Sequence, residues 1–121
     1  MSLTSSMEDY LEAVLIMQQR HGYVRCVDVA EQLGVKKPSV SRAVKELSKS
    51  GHLVKNADGA LSLTETGLQL AEQICEKHRF FTEQLIAAGV APKIAEQDAC
   101  NIEHAISAES FQKLKKALDD G

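Results

Sequence analysis

The chain has 121 residues, of which 44% are hydrophobic and 26% are charged, and its net charge at pH 7 is −3. This size and composition are typical of one folded domain, or of a small domain with an appendage, that buries a modest core. No run of eighteen apolar residues occurs, and the start MSLTSSMEDY lacks the basic and apolar regions of a signal peptide, so no membrane span is expected.

The first part of the chain predicts three short helices separated by tight turns. A first helix starts after Ser5-Ser6 and should end near His21; we expect Ser5 to cap it, with Glu8 at the capping-box spacing. A second, shorter helix is stopped by Gly34. A third begins around Pro38, because the fixed φ of proline suits a first helical turn.

The period of the hydrophobic residues then changes from helical to alternating. Leucines alternate with polar residues after a turn at 56–59, which contains an Asp-Gly pair, and this pattern predicts a β-hairpin. A short helix, a tight turn, a second helix and a hairpin form a winged helix-turn-helix, which presents its second helix to the DNA major groove. The predicted fold is therefore mainly α with a small β-hairpin wing.

The rest of the chain predicts three helices and no further strand. The expected helices are Thr64–Ala88, Pro92–Ile106 and Ser107–Leu118, and Gly89 breaks the first of them. From Glu65 onward there are ten acidic and six basic residues, so this part of the chain is acidic.

The third predicted helix carries a basic patch although the whole chain is acidic. Its apolar residues Val40, Val44 and Leu47 predict the inner face, which leaves the serines and cations outside. Arginine can pair with guanine through two hydrogen bonds, serine can reach phosphates or base edges, and lysine suits phosphates. The predicted DNA-binding residues are Lys36, Lys37, Ser39, Ser41, Arg42, Lys45 and Lys49.

Charge alone does not establish a DNA partner. Lysines on a helix surface are commonly a solvated face, and an acidic net charge argues against nucleic acid. The position of this helix, between a tight turn and a hairpin, favours DNA binding. Protein contact is the alternative use of a winged helix, and salt-sensitive duplex binding separates the two.

Side chains that can hold a metal occur in three of the predicted helices. The penultimate helix offers a thiol, a carboxylate and an imidazole at positions i, i+3 and i+4, which share one face. Oxygen, nitrogen and sulfur donors together suit a divalent first-row transition metal better than calcium or magnesium. The side chains that could coordinate such an ion are Glu8, Asp9, Glu12, His78, Asp98, Cys100, Glu103 and His104.

Each of these side chains also has an explanation without a metal. Acids are favoured in the first turn of a helix, free cysteines are often buried, and polar helix residues are usually exposed.

A metallohydrolase is disfavoured because no H-E-x-x-H pattern is present. A thiol-based redox regulator could use Cys75 or Cys100, but acids surround Cys100. An odd number of cysteines without paired spacing favours a reduced, cytoplasmic protein.

Five segments occur in the order SSMEDYLEAV, AEQLGVKKPSVSRAVKEL, LSLTETG, EKHRFF and DACNIEHAIS. Together they resemble the manganese transport regulator and diphtheria toxin repressor family of metal-dependent repressors. The resemblance implies an N-terminal winged helix over residues 1–65 and a helical dimerisation and metal-binding domain over residues 66–121. It also implies a homodimeric repressor that binds operator DNA when it is loaded with Mn(II) or Fe(II), and in which one ion ties the two domains together.

The resemblance implies a mixed metal site. By position, the manganese branch uses Asp9, Glu12, His78, Glu103 and His104. That branch has a glutamate in place of Cys100, whereas the iron branch has a cysteine there but a methionine in place of Asp9. Thr82 and Glu96 stand where the iron branch has ancillary ligands, so the ancillary site is expected to be absent or rebuilt. Because thiolate is softer than carboxylate, Cys100 should shift preference from Mn(II) toward Fe(II), Co(II) or Zn(II).

Overall fold

The computed structural model describes residues 3–120. Within that range the chain forms six helices and one two-stranded antiparallel sheet, which confirms the predicted fold class. The elements are α1 Ser5–His21, α2 Cys26–Leu33, α3 Lys37–Lys49, β1 Leu53–Lys55, β2 Leu61–Leu63, α4 Glu65–Ala87, α5 Pro92–Ala105 and α6 Ala108–Asp120. None of the described helices is long and apolar enough to cross a membrane. The chain divides into two compact units, Met1–Gln73 and Ile74–Gly121.

The first unit is a three-helix core with a β-hairpin wing. α1, α2 and α3 contact one another, β1 packs on α3, and β2 contacts α1. The predicted inner residues of α3, Val40, Val44 and Leu47, are all buried, which confirms the helical spacing. Burying side chains of this kind stabilises a fold by about 1.5–3 kcal/mol each. Other buried residues of the unit are Leu11, Val14, Val24, Val29, Leu53 and Leu61.

The prediction that Ser5 caps α1 is wrong, because Thr4 holds that position. The backbone of Thr4 is extended (φ −72°, ψ 161°), and its Oγ1 accepts a hydrogen bond from the Met7 N–H at 3.2 Å. Ser5 is already helical, so it lies one residue too late to serve as the cap. Glu8 is correspondingly one residue beyond the capping-box position.

The wing is the predicted hairpin. Leu53 pairs with Leu63 and Lys55 pairs with Leu61, so that alternate side chains lie on opposite faces of the hairpin. The Leu61 N–H also donates to the carbonyl oxygen of Val24 at 2.7 Å, which ties the segment before α2 to β2. The wing is therefore anchored to the helical core from its inner strand.

The start of α4 lies directly against the residues that precede β1. The Thr64 N–H donates to the His52 carbonyl at 3.1 Å, while the Thr64 hydroxyl donates to the Gly51 carbonyl at 2.6 Å and accepts from the Gly67 N–H at 3.1 Å. A Cβ atom added at Gly67 would lie 1.9 Å from the His52 oxygen. Only glycine permits this close approach.

The second unit is organised around aromatic side chains of α4 and α6. Phe81 and Phe111 are buried with Ala99 of α5, and Phe80 packs against them. The ring of Phe80 makes edge-on contacts with both, at centroid distances of 5.1 Å to Phe81 and 5.4 Å to Phe111. The Lys77 ammonium donates to the carbonyl oxygen of Ile106 at 3.2 Å, at the end of α5. These contacts hold α4 and α5 side by side.

Candidate functional site

α3 presents a polar and basic surface beside the wing. Because its apolar residues recur every three to four positions and are buried, the intervening residues are left on the outside. The seven residues predicted to bind DNA, Lys36, Lys37, Ser39, Ser41, Arg42, Lys45 and Lys49, are all exposed. Pro38 stands in the first turn, as expected.

A cleft of about 500 Å³ separates the outer face of α3 from the wing. Lys45 and Lys49 line it from α3, together with Ser41. Lys55 lines the cleft from β1 and was not among the predicted DNA-binding residues. Its place in the predicted wing, shortly after the basic helix, is the sequence feature that could have identified it.

Arg25 is a second cation that the sequence analysis did not assign to the site. It precedes α2, and its Nε and Nη2 groups donate to the Tyr23 hydroxyl oxygen at 3.1 and 2.8 Å. The hydrogen bond with Tyr23 raises the pKa of Arg25 above its ordinary value. Arg25 does not lie in a run of charged residues in the sequence. The other cations near it, Lys37 and Lys55, come from distant parts of the chain and are brought close by folding.

The second unit buries one carboxylate, that of Glu103 on α5. Its exposed fraction is 2%, and it is the one charged residue of the described range that is buried. The Glu103 Oε2 atom lies 3.4 Å from Nδ1 of His78, and its Oε1 atom lies 3.6 Å from Nε2 of His104. Burying a carboxylate is unfavourable unless positive charge or hydrogen bonds compensate it. The two neighbouring imidazoles can supply positive charge when they are protonated.

Cys100 lies one helical turn before Glu103 and is half-buried. A ligand atom from each of Cys100, Glu103 and His104 lies within 4.8 Å of the other two. The i, i+3, i+4 spacing on α5 produces this convergence, as expected from the sequence. His78 approaches the Glu103 carboxylate from α4.

The donor chemistry of these four residues fits a divalent transition metal. Two imidazoles, one thiol and one carboxylate are nitrogen, sulfur and oxygen donors, a mixture that suits Mn(II) through Zn(II) rather than calcium. Cys100 and His104 group with the buried carboxylate of Glu103, and His78 approaches the same carboxylate at its other oxygen, so a cation there would compensate the buried charge. The residues present therefore fit the implied metal.

The two acidic candidates of the first unit lie on α1. Asp9 and Glu12 are both half-buried and are separated by one helical turn. Their role as metal ligands stays a prediction. Of the two other acids considered, Glu8 is half-buried and Glu96 is exposed.

Two family models together match almost the whole chain. Residues 2–61 match the iron dependent repressor N-terminal DNA binding domain, and residues 64–120 match the iron dependent repressor metal binding and dimerisation domain. The HTH-type transcriptional regulator MntR of Listeria monocytogenes serotype 4a is 33% identical over 111 residues, which are 92% of this chain and 78% of that relative.

Solved structures show the same likeness. The metal-dependent transcriptional regulator MtsR superposes with a TM-score of 0.86 at 29% identity, covering 97% of this chain and 55% of the MtsR chain. The manganese regulator SloR superposes with a TM-score of 0.82 at 27% identity, covering 98% of this chain and 55% of the SloR chain. The chain thus spans about half the length of these solved relatives.

Proposed function

The chain belongs to the iron-dependent repressor family, and we propose that it is a homodimeric repressor that binds operator DNA when it is loaded with Mn(II) or Fe(II). Membership of this family makes it a metal-responsive, DNA-binding transcriptional regulator and not an enzyme. The observation that carries the proposal is the buried carboxylate of Glu103 with His78, His104 and Cys100 around it. We expect the protein to act in the cytoplasm, on chromosomal DNA.

We propose a ligand set drawn from both domains, over residues 1–65 and 66–121. The proposed ligands are Asp9, Glu12, His78, Cys100, Glu103 and His104. Cys100, Glu103 and His104 are supported by their mutual distances, and His78 is supported by its distance to Glu103. The two acids of α1 are supported by their i, i+3 spacing, by their partial burial and by the resemblance to the manganese branch.

A bound divalent cation would supply the positive charge that compensates the clustered carboxylates. The role of the protein residues is to hold the recognition surface in one arrangement. A dimer in which the two copies of α3 are free to vary their separation loses more freedom when it docks on DNA, and therefore binds more weakly. Metal control of DNA affinity follows from ligands that lie on both domains.

The thiol of Cys100 decides which metals the site prefers. Carboxylates favour Mn(II) and Fe(II), whereas a thiolate favours Fe(II), Co(II) or Zn(II). Because affinity generally rises along the first-row series, Co(II) and Zn(II) can occupy the site in vitro without being the physiological metal. We propose Mn(II) or Fe(II) as the physiological activator, since the proposed set holds three carboxylates and one thiol.

We propose that α3 enters the major groove of the operator. Arg42 is the candidate for base recognition, since its fork of donors matches the acceptors of guanine. The serines and lysines of α3 are candidates for phosphate contacts, which fix the position of the helix but carry no sequence information. The exposed face of α3 supports these roles.

The second unit offers an apolar surface for dimerisation. Large hydrophobic residues of this unit are exposed at Ile86, Ile94, Leu114 and Leu118. The matching family model is a metal binding and dimerisation domain. We propose that these residues contribute to a homodimer interface, which burial of apolar surface would stabilise.

The deciding experiment is a DNA titration with and without metal. Duplexes selected from a random-sequence library by the metal-loaded protein serve as operators, and binding is measured with chelator, Mn(II), Fe(II), Co(II) and Zn(II). We expect the wild type to bind at least tenfold more tightly with its metal, and Glu103→Ala to lose this gain. Glu109→Ala is the matched control, because Glu109 is an exposed acid on α6. Equal binding by metal-free and loaded wild type would refute metal control.

A further inference from the structure

Three cations from three separate segments line one small cavity at the junction of α2, α3 and the wing. Arg25 comes from the residue before α2, Lys37 from the start of α3 and Lys55 from the end of β1. The cavity has a volume of about 190 Å³, and its remaining lining residues, Cys26, Val27 and Gly59, carry no acid. Like charges gathered in this way repel one another unless an anion lies between them.

The guanidinium of Arg25 is held in place by the wing turn. Its Nε and Nη2 donate to the Tyr23 hydroxyl, which in turn donates to Oδ2 of Asp58 at 3.3 Å. Asp58 is itself fixed, since its Oδ1 accepts from the Ala60 N–H at 3.0 Å. The third nitrogen, Nη1, lies on the side of Gly59, at 4.0 Å from where a Cβ of that residue would be.

The two acids near Arg25 are occupied by backbone donors and do not line the cavity. Asp28 accepts the Arg25 N–H at 2.9 Å, and Asp58 accepts the N–H of Ala60. Their carboxylates hold the loop and the wing turn in shape and partly offset the charge of Arg25, so the three cations of the lining keep an excess of positive charge. A ligand with several acceptor oxygens is the chemistry that this arrangement would recognise.

Lys55 connects this cavity to the cleft beside α3. It lines both, and across the second cleft it faces Lys45 and Lys49. Cations are therefore present continuously from the outer face of α3 to the segment before α2. Such a row of cations matches a strand with evenly spaced phosphates better than it matches a single small anion.

We infer that Arg25, Lys37 and Lys55 bind a backbone phosphate of duplex DNA beside the recognition helix, an inference that rests on the proposed DNA-binding function. Arg25 and Lys55 thereby become DNA contacts outside α3. Because phosphates are common to all sequences, these contacts add affinity and position the helix without choosing the operator.

The test uses the Mn(II)-loaded chain of 121 residues and a random-sequence duplex, since phosphate binding needs no particular operator. The slope of log Kd against log salt concentration is measured for wild type, Arg25→Gln, Lys55→Gln and the variant that combines both with Lys37→Gln. The combined variant is expected to reduce the slope by about 0.9, the contribution of one phosphate, which weakens binding by about eightfold at 0.1 M salt relative to a 1 M reference. Each single substitution is expected to reduce the slope by part of that amount. The preference for the selected operator over the random duplex should stay unchanged.

Two control variants distinguish the loss of a phosphate contact from a general loss of positive charge and from a disturbance of the fold. Lys93→Gln removes the same charge from an exposed position of α5 in the second unit and is expected to leave the slope unchanged. Arg25→Lys keeps the charge and should restore the wild-type slope. Wild-type slopes for both Arg25→Gln and Lys55→Gln would overturn the phosphate site while the proposed function stands. Absence of salt-sensitive duplex binding by the wild type would overturn the proposed function, and the phosphate site with it.

Discussion

Replacing Gly67 by alanine should destabilise the first unit, although alanine is the better helix former. The added Cβ would lie 1.9 Å from the His52 carbonyl oxygen, far inside the 3.0 Å that Cβ atoms normally respect. Overpacking of this kind costs about 1–3 kcal/mol. Moving α4 away also weakens the Thr64 hydrogen bonds to His52 and Gly51, at about 1 kcal/mol each. The gain in helix propensity returns about 1 kcal/mol.

The net expectation is a loss of about 2–4 kcal/mol in the free energy of unfolding. Urea titration of the metal-free protein, followed by circular dichroism, should show the midpoint falling by about 1–2 M for a dependence on denaturant of about 2 kcal/mol per M. Gln69→Ala is the control, because Gln69 is exposed on the same helix. A Gly67→Ala midpoint equal to that of wild type would refute the argument from close approach.

Three further outcomes follow from the structure. Phe111→Ala should reduce the free energy of unfolding by about 3–5 kcal/mol, because the ring is 2% exposed among Phe80 and Phe81; a loss below about 1 kcal/mol in urea titrations would contradict this. Cys100→Glu should lower the Mn(II) concentration needed for half-maximal DNA binding and raise that for Zn(II), because it replaces a soft donor by a hard one; an unchanged order in metal titrations would count against Cys100 as a ligand. Arg42→Ala should reduce the preference for the selected operator over random duplex by about 1–3 kcal/mol, measured by competition binding; an equal loss on both duplexes would make Arg42 a phosphate contact instead.

Local sequence patterns predicted the helices and the hairpin because the spacing of a few apolar residues is enough to specify each of them. The spacing of Val40, Val44 and Leu47 identified the buried face of α3, and all three are buried. The N-terminal cap of α1 was missed because Thr4 and Ser5 have equivalent side chains for capping. Only the backbone conformation, which the sequence does not display, distinguishes them.

In the candidate sites, too, the residues that are close in sequence were predictable, and those brought together by packing were not. The convergence of Cys100, Glu103 and His104 follows from helical spacing alone and was predictable. The approach of His78 depends on how α4 packs against α5. Lys55 and Arg25 were not found, because they are brought beside α3 by the hairpin and by the segment before α2. Charge counted along one helix does not reveal such neighbours.

Burial distinguishes Glu103 from the other acids of the second unit. An exposed acid gains little from a bound cation, because water already solvates it and screens the interaction. A carboxylate that is 2% exposed has lost that solvation, so the same cation stabilises it far more. The imidazoles at 3.4 and 3.6 Å compensate it through charge only when they are protonated, whereas a metal ion uses them in their neutral form. If the proposed site binds a metal, we therefore expect Glu103 to contribute most to the strength of binding and the thiol of Cys100 to shift which metal is preferred.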